Sequence, residues 1–76
     1  GTAIQLRLHG VPRGTRCRLV TLNRGGQTQV AGTWQATYEA TTAITTATSI
    51  ARDNLRSLRV LTADNALLVA IPVPPR

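Results

Sequence analysis

The chain has no lysine, methionine or phenylalanine, and only one cysteine, one histidine, one tryptophan and one tyrosine among 76 residues. Each shortage closes a route. A lone Cys17 forms no intrachain disulfide and, with a single histidine, supplies no zinc framework, which needs several ligands at set spacing. Scarce aromatics and absent methionine argue against a helical bundle and for thin β-layers built from threonine and small apolar residues. The three carboxylates, Glu39, Asp53 and Asp64, are isolated from one another in predicted turns or strand ends and make no acid/base pair. No apolar run approaches the roughly 18 residues of a membrane span, and no charged-then-apolar leader is present.

All positive charge is therefore arginine, and the formal net charge is +6. Such a balance fits nucleic acid, anionic lipid or an acidic polymer. It equally fits a coding bias toward arginine over a solvated surface, because the arginines occur in separate segments and form no dense basic run. Arg13, Arg16 and Arg18, grouped near the first turn, are the best candidates for an anionic contact. His9 reads as a surface residue beside a turn, without a nucleophile placed near it. Cys17 sits between Arg16 and Arg18, but alternation turns it to the opposite face, so it reads as a buried structural thiol. No catalytic, metal or cofactor-binding residue is identified. Catalysis is not expected.

The two aromatic rings set the organisation. In Val30-Ala31-Gly32-Thr33-Trp34-Gln35-Ala36-Thr37-Tyr38 the alternation has period two, which places Val30, Trp34 and Tyr38 on one inward face of a strand. Gly32 and Ala36 leave room beside the indole for side chains from a facing layer. Ile4, Leu6 and Leu8 define a first strand over residues 2–9, and Gly10-Val11-Pro12-Arg13-Gly14 ends it in a turn. A second strand over residues 15–23 changes parity: Cys17 and Leu19 share one face, Val20 and Leu22 the other. A bulge near Leu19 that resets the register is the preferred reading; a central strand covered on both faces is the other.

Asn23-Arg24-Gly25-Gly26-Gln27 predicts a hairpin joining this strand to the tryptophan strand. Residues 40–50 fit both a strand, with Ile44 on one face, and a helical stripe; five threonines among those eleven positions favour the strand. A short helical turn or irregular crossover is expected near residues 50–56. Leu58 and Val60 then mark a fifth strand, Ala63-Asp64-Asn65-Ala66 a tight turn, and Leu67, Val69 and Ile71 a sixth. Prolines 72, 74 and 75 stop further pairing. The expected fold is one all-β domain over residues 1–76, a small six-stranded antiparallel immunoglobulin-like sandwich, with a closed barrel as the alternative. A domain so small buries only about 60% of its unfolded surface, so its margin is thin.

The segment from Leu6 to Leu19, containing Leu8-His9-Gly10-Val11-Pro12-Arg13-Gly14, followed by Gly32-Thr33-Trp34-Gln35-Ala36-Thr37-Tyr38, resembles the extracytoplasmic C-terminal domain of actinobacterial transmembrane anti-sigma factors of the zinc-finger type. The resemblance covers most of the chain. It implies a fragment of a longer membrane protein: a cytoplasmic domain that binds a sigma factor, a membrane helix upstream of Gly1, and this domain outside the membrane as a sensory or regulatory module. The cytoplasmic His/Cys motif is absent here, so no residue of this chain is assigned to sigma-factor binding. An all-arginine surface fits a high-GC genome. The alternative function is a free-standing basic module for nucleic acid or another polyanion. Nucleic-acid contact is not expected, because small β-folds that grip single strands use exposed rings and both rings here are read as inward.

Overall fold

The computed structural model describes residues 1–9, 11–36 and 41–74, without the side chains of Thr41 and Thr42. Six strands form in chain order: β1 Thr2–His9, β2 Arg16–Asn23, β3 Thr28–Gln35, β4 Thr41–Thr48, β5 Leu55–Thr62 and β6 Leu67–Pro72, with a 3-10 turn Arg52–Asn54 before β5. All pairings are antiparallel. One sheet has two strands in the order β1-β4, the other four in the order β3-β2-β5-β6, and the architecture is not a barrel.

The alternation of β1 works as its sequence predicts. Ile4, Leu6 and Leu8 are buried while Ala3, Gln5, Arg7 and His9 are exposed. Residues 41–48 are a strand, paired with β1 so that Leu6 faces Ile44. Threonine-rich composition decided that segment over its helical periodicity. The two sheets close over a core of Ile4, Leu6, Leu8, Val11, Cys17, Leu19, Ala36 and Val60, against which Ala31, Trp34, Ile44, Leu58, Val69 and Ile71 pack.

The turns follow from backbone demands. Gly14 adopts φ 88° and Thr15 N–H donates to the Pro12 carbonyl at 3.2 Å. At the hairpin Gly26 adopts φ 86°, Asn23 N–H donates to the Gln27 carbonyl at 2.9 Å, and Gln27 N–H donates to Asn23 Oδ1 at 2.8 Å. Asn65 takes a left-handed φ of 67°, which asparagine tolerates better than most residues. Arg24 N–H donates to the Asn54 carbonyl at 3.0 Å and its Nε to the Asp53 carbonyl at 3.1 Å, which pins the 3-10 turn beneath the hairpin.

Three expectations change. First, the register shift expected near Leu19 is present, but β2 keeps its own alternation through it: Cys17, Leu19 and Thr21 are all buried on one face, so Val20 and Leu22 point outward. The irregularity at this level lies on the partner strand. Leu19 pairs with Gly32 and Val20 with Val30, leaving Ala31 as the extra residue of β3. Second, that bulge turns Val30 away from the core, and Val30 is 55% exposed instead of inward. Third, a similar irregularity pairs Val60 with Val69 but Leu61 with Leu67, so Leu67, expected in the core, is 56% exposed. Tyr38 lies outside the described residues.

The sheets are also joined by polar contacts. Thr46 Oγ1 of β4 donates to the carbonyl of Ala31 at 2.6 Å, satisfying a group that the bulge removes from the ladder. A Cβ on Gly32 would meet this same Thr46 Oγ1 at 3.4 Å, so the glycine next to the bulge admits the facing strand. Deeper, the hydroxyls of buried Thr21 and Thr48 lie 3.3 Å apart, and Thr48 Oγ1 donates to Gln29 Oε1 at 2.6 Å.

Candidate functional site

Alternation and register define the outer face of the four-stranded sheet. Across β3-β2-β5-β6 one row carries Thr28, Leu22, Ser57 and Pro72; the next carries Val30, Val20, Arg59 and Ala70; the next carries Thr33, Arg18, Leu61 and Leu67. Gln35 and Arg16 begin a fourth row. Arg16 and Arg18 therefore share a face because they are two residues apart on one strand. Arg59 joins them through the β2·β5 pairing.

Arg16, Arg18, Thr33, Gln35 and Ala63 line a depression of about 400 Å³ at one end of this face. Cys17 and Trp34, paired in register between the two arginines' partners, also border it. The Arg18 guanidinium donates through Nη2 to Asn65 Oδ1, so its head is held over the β5–β6 turn. Gln35 Nε2 donates to the Gly14 carbonyl at 3.3 Å. The arrangement offers two guanidinium groups, that of Arg18 fixed by Asn65 and that of Arg16 exposed, above hydroxyl and amide groups. It can hold an anion by charge-assisted hydrogen bonds.

Of the three arginines predicted for an anionic contact, the structure brings Arg16 and Arg18 together in this depression. Arg13 is exposed in the β1–β2 turn and does not line it. Sequence reasoning missed Thr33, Gln35 and Arg59. Opposite parity to buried Val60 would have turned Arg59 outward, but its nearness to Arg18 depends on a strand pairing that the sequence does not reveal.

Cys17 is 4% exposed, and burial pushes its thiol above the ordinary range. Its Sγ lies 3.8 Å from the Thr15 carbonyl. A thiol reagent is accordingly expected to label Cys17 slowly in native buffer and fast only in denaturant. Native labelling as fast as in the unfolded chain would show an exposed, reactive thiol. His9 stands exposed at the end of β1, on the outer face of the other sheet. Among the described residues no three His, Cys, Asp or Glu side chains cluster as metal ligands, and no helix is long and apolar enough to cross a membrane.

The two segments that carry the anti-sigma resemblance meet at the same end of the molecule. Gly14 N–H donates to the Ala36 carbonyl at 2.7 Å, Ala36 N–H donates to the Thr15 carbonyl at 2.9 Å, and Cys17 lies opposite Trp34. Val11, from the first segment, and Ala36, from the second, are both buried in the core. Compared with protein-family models, with curated proteins and with solved structures, the chain matches none.

Proposed function

We propose that this chain is the non-enzymatic, extracytoplasmic regulatory domain of a membrane-anchored anti-sigma factor, folded as an immunoglobulin-like sandwich. One observation carries the reading: the two sequence segments on which the resemblance rests, distant along the chain, interlock through the Gly14 and Ala36 hydrogen bonds into a single structural corner. Residues with that task belong to a fold signature and not to a binding site. The strand orders support the finer fold assignment. With β1 and β4 as strands B and E, and β3, β2, β5 and β6 as C′, C, F and G, the strands among the described residues and their connections between sheets follow the immunoglobulin plan.

The domain would act through its folded state. Its presence, or a ligand bound to it, would change the exposure of the adjoining juxtamembrane segment, biasing the complex between the cytoplasmic domain and the sigma factor. Burial of the one thiol favours a role without covalent chemistry. A reporter for the cognate sigma factor, in cells carrying the full-length protein with residues 1–76 deleted, should show altered basal activity or altered induction. Unchanged values for both would refute the regulatory reading.

A second reading, a free-standing basic module for nucleic acid or another polyanion, is favoured by the Arg16–Arg18 depression. Its mark would be micromolar, salt-sensitive binding of the isolated domain to oligonucleotides, since phosphate attraction without stacking is lost as salt rises.

A further inference from the structure

The two outer faces of the sandwich differ in kind. On the two-stranded sheet, Ala3, Gln5 and Arg7 face Ala47, Thr45 and Ala43 across the register, all exposed, small or polar. The four-stranded sheet instead presents Val20, Leu22, Val30, Leu61 and Leu67 outward, with Leu68 exposed at the bulge beside them. Val30 and Leu67 are more than half exposed, at opposite edges of the sheet, with Val20 and Leu61 between them beside Arg59 and Arg18. Clustered aliphatic side chains on an outer sheet face, unlike singly scattered ones, signal an interaction surface.

Among the described residues, the charges interleaved with these aliphatics are all positive. Arg16, Arg18 and Arg59 occupy register positions on the face, and none of the described residues at those positions is a carboxylate. Asp64 stands at the rim, in the β5–β6 turn, where Thr62 Oγ1 donates to it at 3.0 Å. This combination discriminates among partners. A second copy docked about a two-fold axis would bring arginine-bearing surfaces together, and like charges oppose that. Single-stranded nucleic acid wants aromatic platforms, and this face offers aliphatic chains with the indole packed inward against the core. An anionic lipid surface satisfies both components, with headgroup phosphates on the guanidinium groups and aliphatic side chains in the acyl boundary.

We infer that the outer face of the β3-β2-β5-β6 sheet is a docking surface for an anionic phospholipid bilayer, with Arg16, Arg18 and Arg59 contacting headgroups and Val30 and Leu67 entering the interface. The inference stands apart from the anti-sigma reading, because the isolated 76-residue chain tests it directly. The test is sedimentation of this chain with vesicles of phosphatidylcholine alone or of phosphatidylcholine containing roughly a third phosphatidylglycerol. Binding should require the anionic lipid. Each basic residue at such a surface contributes about fivefold, so the pair Arg16→Gln and Arg59→Gln should weaken binding about 25-fold. Arg18 is left in place to keep its contact with Asn65.

The matched control is the pair Arg7→Gln and Arg52→Gln, which removes the same charge from exposed positions off this face and should weaken binding by no more than about threefold. Val30→Ser with Leu67→Ser leaves every charge intact and should also weaken binding several-fold, with the domain still folded at the assay temperature, since both side chains are more than half exposed. Equal losses from the two arginine pairs, equal binding to neutral vesicles, or no binding to either would overturn the proposal. So would oligonucleotide binding that the Val30 and Leu67 substitutions leave unchanged while vesicle binding is absent.

Discussion

Leu19→Ala is expected to lower the thermal midpoint by about 8–40 °C, taking a cost of about 2–5 kcal/mol at about 4–8 °C per kcal/mol for a domain of this size. Leu19 is 0% exposed at the centre of the central strand, between Gly32 of β3 and Val60 of β5. Both neighbours limit repair. Gly32 has no side chain to move into the void, and Val60, also 0% exposed, is already packed. A chain of this length has a total stability of about 4–11 kcal/mol, so the substitution removes a large part of it. Val20→Ala, one position along the same strand, trims an outward-facing side chain and should cost less than about 1 kcal/mol. Thermal unfolding of both variants checks the parity of β2. Equal losses, or a larger loss from Val20→Ala, would place the core on the wrong face.

That parity was the point at which the sequence was hardest to read. A strand with Cys17 and Leu19 on one face and Val20 and Leu22 on the other carries no polar alternation. The rule that apolar side chains point inward then forces a change of parity within β2 that does not occur, the register shift at Leu19 and Val20 being taken up by β3. The physical reason is that Val20 and Leu22 belong to the outward aliphatic surface, and the inward position after Leu19 is filled by Thr21, buried with its hydroxyl bonded to the Gln29 carbonyl at 3.2 Å. Polarity at position 21 hid a core site. The bulge was anticipated at the right level but on the wrong strand, because nothing about Ala31 distinguishes it from an ordinary strand residue.

Local features were legible where alternation agreed with turn chemistry. Ile4, Leu6 and Leu8, the Gly25-Gly26 hairpin and the Ala63–Ala66 turn each combine the two signals. The nonlocal ones were not. Pairing of β1 with β4, which assembles the smaller sheet, leaves no trace in either segment, and neither does the β2·β5 contact that brings Arg59 beside Arg18. Half the candidate site was therefore visible: Arg16 and Arg18 share a strand face by parity alone. Arg13 is near them only along the chain, since a turn separates it from the sheet.

Trp34→Ala should be the second large loss, and its size reports how the indole sits. The ring is half-buried, packed on the core beside Cys17, its partner across the β2·β3 ladder. Full burial would make truncation cost about 3–5 kcal/mol, and partial burial trims this to about 2–3 kcal/mol. The polar tip works in the other direction. Indole Nε1 is buried with no hydrogen-bond partner among the described residues, and a buried donor left unpaired costs about 1–3 kcal/mol. Trp34→Phe keeps an aromatic ring against the core and removes that donor, and the two changes should nearly cancel, leaving it within about 1 kcal/mol of the native domain. Urea unfolding of the two variants separates the contributions. A Trp34→Ala cost no greater than that of Val20→Ala would mean that the indole lies on the surface. A Trp34→Phe cost equal to that of Trp34→Ala would mean that the N–H is bonded in solution and holds the ring in place.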